Sequence, residues 1–385
     1  MRAVPLGELC EINIGRTPAR AEASYWGPGH PWLSISDMSQ GLTISATKEQ
    51  ITDLGAKGGR LVEPGTVLLS FKLSIGKVGI ANTRLYTNEA IAALPIKDPD
   101  VLDPQYLMRA LQAMKLEAGS NRAAMGATLN KKALAQIDVT LPPLVEQRRI
   151  AAILDHADAL RTKRRKVLAH LDSLTQAIFH DMFGDPAETS RNVEFGLVAN
   201  FEGGRNLVAT DSSAEGAYRV LKISAVTSGR FKPEESKPLP LDYVPPNRHL
   251  VRNDDLLLSR ANTTELVGAV ALVADPPQNL ALPDKIWRIA WRVPAEPVFY
   301  HALLSTRSVR QRIGRLSSGT GGSMKNIPKA KLAKMPVPLV SLGGQRVFVG
   351  HAARIAAQRH RVTTASSADD ELFASLQFRA FRGEL

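Results

Sequence analysis

The sequence predicts an α+β fold: two strand-rich domains separated by two long antiparallel coiled-coil helices, with a pseudo-twofold internal repeat. Three observations predict it. The first is the repeat itself. Leu68-Leu69-Ser70 recurs as Leu257-Leu258-Ser259, 189 residues on, and Gln147-Arg148 recurs as Gln345-Arg346, 198 residues on. A period that long excludes a solenoid, and the drift is what loop insertions produce. The second is a run of 39 residues, 145–183, with neither Pro nor Gly, about 58 Å if it is one helix. The third is a set of short apolar runs, such as 66–71 and 256–259, bounded by Gly65 or by Asp254-Asp255. Such runs read as buried strands.

In chain order, residues 1–140 form the first strand-rich domain, 141–186 the first long helix, 187–336 the second domain and 337–385 the second long helix. In the first domain Gly76 and Gly79 mark hairpin-like connections and 104–118 reads as a short helix. The first long helix stops at Gly184 and Pro186, the usual C-terminal signals. Ile150, Ile153, Ala157, Leu160, Arg164, Val167, Leu171, Leu174 and Ile178 follow steps of three and four, a heptad seam with one basic interruption. The second domain carries Gly268, Pro-rich loops at 232–246 and 275–283, and a short helix at 299–315. The second long helix has a poorer seam: Phe348, His351, Ile355, Gln358, Val362, Ala365, Asp369, Leu372 and Leu376. Alone it would be weak; paired with the first it closes a shared stripe. Antiparallel pairing would set the domains at opposite ends of a rod, a shape suited to two places on duplex DNA.

Composition excludes several classes. The 385 residues are 44% hydrophobic and 22% charged, ordinary for a folded chain and unlike a disordered or collagen-like one. One cysteine, Cys10, cannot form an internal disulfide, which fits a reducing compartment. The apolar stretch 266–274 is about half a membrane span. Glu8 and Glu11 come too early for a signal peptide. A cytoplasmic protein without a membrane partner is expected. Lys and Arg number 49 against 37 Asp and Glu, a net charge of +12. Residues 191–340 hold 21 basic against 13 acidic groups, and 301–340 hold eight basic groups and no acid. The second domain is therefore expected to supply most of the phosphate attraction.

Catalytic patterns are absent or incomplete. Asp275-Pro276-Pro277-Gln278 lacks the aromatic that an amino-methyltransferase stacks on a flipped base. Gly76-Lys77-Val78 lacks the rest of a phosphate-binding loop. Glu235-Ser236-Lys237, with Asp211 upstream, has nuclease spacing but sits in a Pro- and Glu-rich loop. The eight His residues show no zinc pattern. No metal site and no catalytic residue are expected. Trp26, Trp32, Trp287 and Trp291 read as core.

DNA contacts are expected instead from loops at matching places in the two copies. In the first domain these are Lys72, Ser74, Lys77, Asn121, Arg122, Thr128, Asn130 and Lys131. In the second they are Ser259, Arg260, Asn262, Thr263, Ser318, Thr320, Lys325 and Asn326. The run 161–166, five basic residues in six, fits a solvated helix face and contact with spacer phosphates equally well.

Leu141-Pro142-Pro143-Leu144-Val145-Glu146-Gln147-Arg148-Arg149-Ile150 opens the first long helix, and Ala177-Ile178-Phe179-His180-Asp181-Met182-Phe183-Gly184-Asp185 closes it. This resembles the specificity subunit of Type I restriction–modification systems, over nearly the whole chain. The start of the second long helix, Ser341-Leu342-Gly343-Gly344-Gln345, departs by lacking the Glu. The resemblance implies two target recognition domains, each reading half of a split double-stranded DNA site. It implies helices that set the spacer and dock two modification (methyltransferase) subunits, with Glu146, Gln147, Arg148, Gln345 and Arg346 at the docking positions where the helices begin. Those partners would carry S-adenosylmethionine and methylate adenine, and restriction subunits would add an ATP-dependent nuclease. This chain itself would bind no cofactor. A stand-alone duplicated DNA-binding regulator is the main alternative, and a metal-dependent nuclease at Glu235 a lesser one.

Overall fold

The computed structural model describes residues 2–385 apart from 115, 117–120, 124–125, 190, 206–216 and 319–323; for 121–128 it describes the backbone alone. The chain forms two compact units: Met1–Arg165 with Thr364–Leu385, and Lys166–Thr363. Each unit takes one strand-rich domain and one end of each long helix, so its boundary runs through the helices Leu144–Phe183 and Leu342–Ala380.

In the first unit, strands β1 (Arg2–Pro5), β2 (Asn13–Ile14), β3 (Trp26–Leu33), β4 (Thr43–Ile44), β5 (Glu49–Ile51), β6 (Val67–Ser70), β7 (Val78–Ala81), β8 (Tyr86–Thr87), β9 (Ile91–Leu94), β10 (Asn121–Ala123), β11 (Gly126–Thr128) and β12 (Asp138–Leu141) follow in order. A five-stranded sheet runs β2-β9-β6-β7-β4, and a smaller one runs β5-β3-β8. β6 and β9, the VLLS and IAAL runs, are buried at every position. That is why they read as continuous apolar runs and not as alternating strands. The helix Pro104–Ala113, capped by the Asp103 carboxylate accepting from Tyr106 N at 3.0 Å, packs Tyr106, Leu107 and Leu111 into the core beside Leu69 and Leu94. Ile150, Ala151 and Leu154 of the first long helix join that core, as do Phe373 and Ala380 of the second.

The second unit repeats the plan. Its strands are β13 (Asn192–Glu194), β14 (Ala199–Gly203), β15 (Arg219–Leu221), β16 (Ser236–Pro238), β17 (Leu256–Ser259), β18 (Ala261–Asn262), β19 (Val270–Leu272), β20 (Leu280–Ala281), β21 (Ile286–Trp291), β22 (Lys325–Asn326) and β23 (Pro336–Pro338). The main sheet runs β14-β21-β17-β19 and the small one β16-β15-β20. In both small sheets the central strand, β3 or β15, has one antiparallel and one parallel neighbour. In both units the first strand pairs antiparallel with the last, β1 with β12 and β13 with β23.

Within each unit the two long helices run antiparallel. In the first unit Arg149 reaches the Leu385 carbonyl at 2.7 Å and Arg161 reaches Asp370 at 2.6 Å. In the second unit Asp172 meets Arg359 at 2.6 Å, and the rings of Phe179 and Phe348 lie 5.5 Å apart. The buried face differs from the expected seam. On the second long helix Ala352, Ser366 and Phe373 are buried in place of the expected His351, Ala365 and Leu372, while Phe348 and Ile355 agree. On the first, Ile150, Ala151 and Leu154 are buried while Leu160, Val167 and Leu174 are exposed. A helix with two neighbouring apolar stripes leaves the choice to whatever packs against it.

Candidate nucleic-acid interface

The loop cluster expected in the first unit is assembled by β6 and its neighbours. Ser70, fully buried, accepts through its hydroxyl from Lys77 N at 2.9 Å and donates to the Ser74 carbonyl. This pins the 71–77 loop at both ends. Its tip holds Leu73 at φ 64, exposed together with Ser74. Lys72 lies 5.3 Å from the Phe71 ring. Lys77 donates to Ser39 Oγ at 2.8 Å and to the Ile35 carbonyl at 3.2 Å, so part of its donor capacity is already used. Leu129 N donates to the Phe71 carbonyl at 2.9 Å. That bond draws the β10–β11 hairpin, with Asn121 opposite Thr128, beside the loop. The side chains of Asn121, Arg122 and Thr128 lie outside the described residues. Asn130 caps the helix Lys131–Ala135, its carbonyl accepting from Ala133 N at 2.8 Å, and Lys131 is exposed.

The second unit builds the same junction. Ile327 N donates to the Arg260 carbonyl at 2.9 Å, the counterpart of Leu129 and Phe71. β18 pairs with β22, placing Asn262 opposite Lys325, and Ser318 exchanges two backbone bonds with Asn326. Asn262, Ser318, Lys325 and Asn326 therefore come together, with Thr263 exposed beside them. Asn262 uses its carbonyl on Thr263 N at 2.8 Å. Thr320 lies outside the described residues. Arg260 is turned inward, its Nε donating to the Asp284 carbonyl at 2.8 Å and its guanidinium 5.5 Å from the Trp287 ring.

Two expectations are corrected. Ser259 is fully buried and hydrogen-bonds the Ala261 carbonyl at 3.3 Å; it closes a strand end, as Ser70 does, and cannot meet a base. Gln147 and Gln345, 0% and 3% exposed, are internal. Gln147 accepts from Asp103 N and donates to the Val101 and Pro142 carbonyls, each at 2.9 Å. Gln345 accepts from Glu296 N at 3.0 Å and donates to the Val340 carbonyl at 2.9 Å. Each glutamine ties the start of a long helix to the loop before a neighbouring short helix, which satisfies backbone groups that burial would otherwise strand. Their neighbours remain outside: Arg148 and Arg346 are exposed. Glu146 is held below the usual carboxylate range by Arg149, 2.8 Å away. Arg346 lies 3.1 Å from Glu296.

The basic run is largely committed. Arg161 and Arg165 reach Asp370 at 2.6 and 3.4 Å, and Arg164 pairs with Asp369. Arg109, only 3% exposed, binds Asp155 at 2.6 Å and Asp158 at 3.2 Å. Beside these ion pairs lies an apolar groove of about 430 Å³, lined by Ile153, Ala157, Leu160, Leu372 and Leu376. These are residues of the expected seam, left open in the first unit. Sequence reasoning missed this groove, because a seam and an open stripe have one and the same periodicity.

Trp32 and Trp287 are core, as expected, and Trp26 and Trp291 are half-buried. Burial pushes the Cys10 thiol up to about 12. Glu235 accepts from Ser224 Oγ at 2.7 Å, and Asp211 lies outside the described residues. Among the described residues no group of three or more His, Cys, Asp or Glu could hold a metal ion, and no helix is long and apolar enough to cross a membrane.

Each of the two strand-rich units brings polar loops together at one junction, and each includes one end of both long helices. Residues 1–170 match the Type I restriction modification DNA specificity domain. The chain is similar to the Type I restriction enzyme MjaIX specificity subunit of Methanocaldococcus jannaschii, 28% identical over 49% of this chain and 44% of that protein. It is likewise similar to the EcoKI specificity subunit of Escherichia coli, 28% identical over 68% of this chain and 61% of that protein. The matched span is under two thirds of the length of either relative. Among solved structures, the S subunit of a Type I restriction–modification system from M. genitalium superposes with a TM-score of 0.56 at 14% identity, covering 99% of this chain and 96% of that one. A chain from a study of complex assembly in the type I R-M system gives 0.62 at 17% identity, over 100% and 98%. These likenesses show the fold, and the resemblance to Type I specificity subunits stands.

Proposed function

We propose that the chain is the DNA-specificity subunit of a Type I restriction–modification system. It is a non-catalytic member of that enzyme complex. Each strand-rich domain is a target recognition domain that reads one half of a bipartite duplex site through its loop cluster. Asn262, Thr263, Ser318, Lys325 and Asn326 act in the second domain; Lys72, Ser74, Lys77, Asn130 and Lys131, with Asn121, Arg122 and Thr128, act in the first. The observation that carries this reading is the duplicated junction: Leu129 on Phe71 and Ile327 on Arg260, each at 2.9 Å, bring two sequence-distant polar loops together in both units. Direct readout needs several donors and acceptors converging on one groove, and the junction supplies that twice.

The apolar groove of the first unit is the docking place for helices of a modification subunit. Exposed aliphatic side chains flanked by Arg149, His156 and Asp369 suit an amphipathic partner helix. S-adenosylmethionine would sit on that partner, which would methylate adenine, and restriction subunits would join the same assembly. Methylome sequencing of a host with and without this chain tests the reading. The expected result is loss of adenine methylation at one split target. Replacing Asn262 and Asn326 by Ala should relax only one half of that target. Unchanged methylation without the chain would overturn the reading.

A further inference from the structure

The small sheet of the second unit carries a feature that the loop clusters do not use. A hollow of about 210 Å³ lies among Arg205, Lys222, Lys237 and Lys285, with Asp284 its one lining carboxylate. Asp284 is already approached by Arg260 at 3.5 Å. Among the described residues, no hydrogen bond or ion pair engages the four cationic side chains. The backbone sets them there. A Cβ on Gly204 would lie 1.6 Å from the Leu282 carbonyl, and Gly204 N donates to the Pro283 carbonyl at 3.0 Å. Only glycine allows that approach, which brings Arg205 beside Pro283. Lys222 follows β15, Lys237 stands opposite Val220 in β16, and Lys285 precedes β21.

The first unit has the same place with the charges changed. Gly15 makes the matching approach, its Cβ position 2.2 Å from the Asn88 carbonyl, and Arg16 N bonds the Thr87 carbonyl at 2.8 Å. Arg16 thus matches Arg205. Ser34, after β3, matches Lys222; Glu49, opposite Trp32, matches Lys237; Glu89 and Ala90, before β9, match Asp284 and Lys285. One cation and two carboxylates stand where the second unit has four cations and one carboxylate. Those of the first unit are also engaged: Arg16 donates to the Lys57 carbonyl at 2.9 Å, Glu49 accepts from Arg20 at 3.0 Å, and Glu89 accepts from Thr17.

We propose that this hollow is a phosphodiester-contact site through which the second domain holds the DNA backbone, with no counterpart in the first. The proposal rests on the reading of duplex DNA as the ligand and deepens it. Lysine ammonium groups around an open hollow meet phosphate as point charges, which adds attraction without base preference. It also relocates the basic surplus. Within the 301–340 run, Arg310 donates to the Glu265 carbonyl at 3.0 Å and Arg312 to the Pro336 carbonyl at 2.9 Å, so both serve the fold.

The test measures the affinity of the full chain for its target duplex and for an unrelated duplex across a salt series. The triple variant Lys222→Gln, Lys237→Gln, Lys285→Gln should lower the salt slope by about 2.7 on both duplexes, from roughly 0.9 per phosphate contact. The preference between the duplexes should stay unchanged. The charge-preserving triple Lys→Arg variant at the same positions should keep the wild-type slope, which separates lost charge from lost fold. Arg16→Gln should leave the slope unchanged. An unchanged slope in the Gln triple overturns the site while leaving the specificity reading in place. A lowered slope in a chain with no duplex preference upholds the site and removes the specificity reading. Titration with inorganic phosphate at constant ionic strength covers the other source of this chemistry. Saturable binding lost in the triple variant, with an unchanged duplex slope, assigns the hollow to a small anion and overturns the proposal.

Discussion

The two units close their share of the long helices by different chemistry. In the second unit Phe179, Phe183, Phe299 and Phe348 form one aromatic cluster, with ring centroids 5.1 to 6.1 Å apart. In the first unit the helices meet through Ile150, Ala151, Leu154 and Phe373, flanked by Arg109, Arg161 and their Asp partners. That unit leaves the groove of Ile153, Ala157, Leu160, Leu372 and Leu376 open. One duplicated plan therefore yields a helix junction built on four clustered rings and another built on aliphatic side chains and one ring flanked by ion pairs. Burying a ring removes far more apolar area than closing an ion pair. The second junction buries more aromatic area, and apolar surface remains available in the first.

The largest expected effect breaks the sealed junction. Phe179→Ala should destabilise the second unit by about 3–5 kcal/mol, read as a lower denaturant midpoint; a cost under about 1 kcal/mol would deny that the aromatic cluster holds these helices. Next is the ionic junction. Asp155→Asn with Asp158→Asn takes both carboxylates from the Arg109 guanidinium, 3% exposed, and leaves it the Gln112 side-chain carbonyl at 3.0 Å. The expected loss is about 2–3 kcal/mol, below the full cost for a buried ion because Asp155 is itself partly solvated. Gln147→Leu should cost about 1–3 kcal/mol, through three lost hydrogen bonds. Gln345→Leu loses two and should cost less, so the reverse order in urea titration would show that the number of hydrogen bonds does not set the cost.

Leu160→Ser with Leu372→Ser should leave stability within about 0.5 kcal/mol, since both are surface positions. Copurification of the modification subunit proposed to dock there should nonetheless be lost, and its retention would overturn that docking place. The smallest effect is pH-dependent. Burial depresses the His301 imidazole below its ordinary value of 6.5, while the Gly229 carbonyl 3.2 Å away favours the charged form. Below pH 6.5 the unfolded chain then binds more protons than the folded one, so stability falls as pH drops into that window and is fully present above it. His301→Gln should flatten that limb of the second unit's stability profile; an unaltered limb assigns it to other groups.

Much of the architecture is local and legible in the chain. The repeated Leu-Leu-Ser strands, the long helices and the matching glutamines lie at fixed offsets. The loop clusters are legible as pairs of polar segments at matching places. Which way each side chain turns is not. Ser259 and Gln147 are polar, and polarity alone suggests a surface, yet both are buried because backbone groups need their hydrogen bonds. The Gly15-Arg16 and Gly204-Arg205 pairs carry a signal in their common offset of 189 residues, but a two-residue match is too short to stand out before the close approach is known.

The sequence by itself determined the duplication, the α+β class, the two long helices and the basic surplus of residues 191–340, because periodicity, composition and spacing are properties of the chain. Only the tertiary structure decided which apolar stripe is closed and which remains open as a groove. It also decided that three arginines of the 161–166 run serve Asp369 and Asp370, and that four cations of the second domain gather at the small sheet. The physical reason is that burial and charge pairing depend on what faces a side chain across the fold, and distant segments supply those partners.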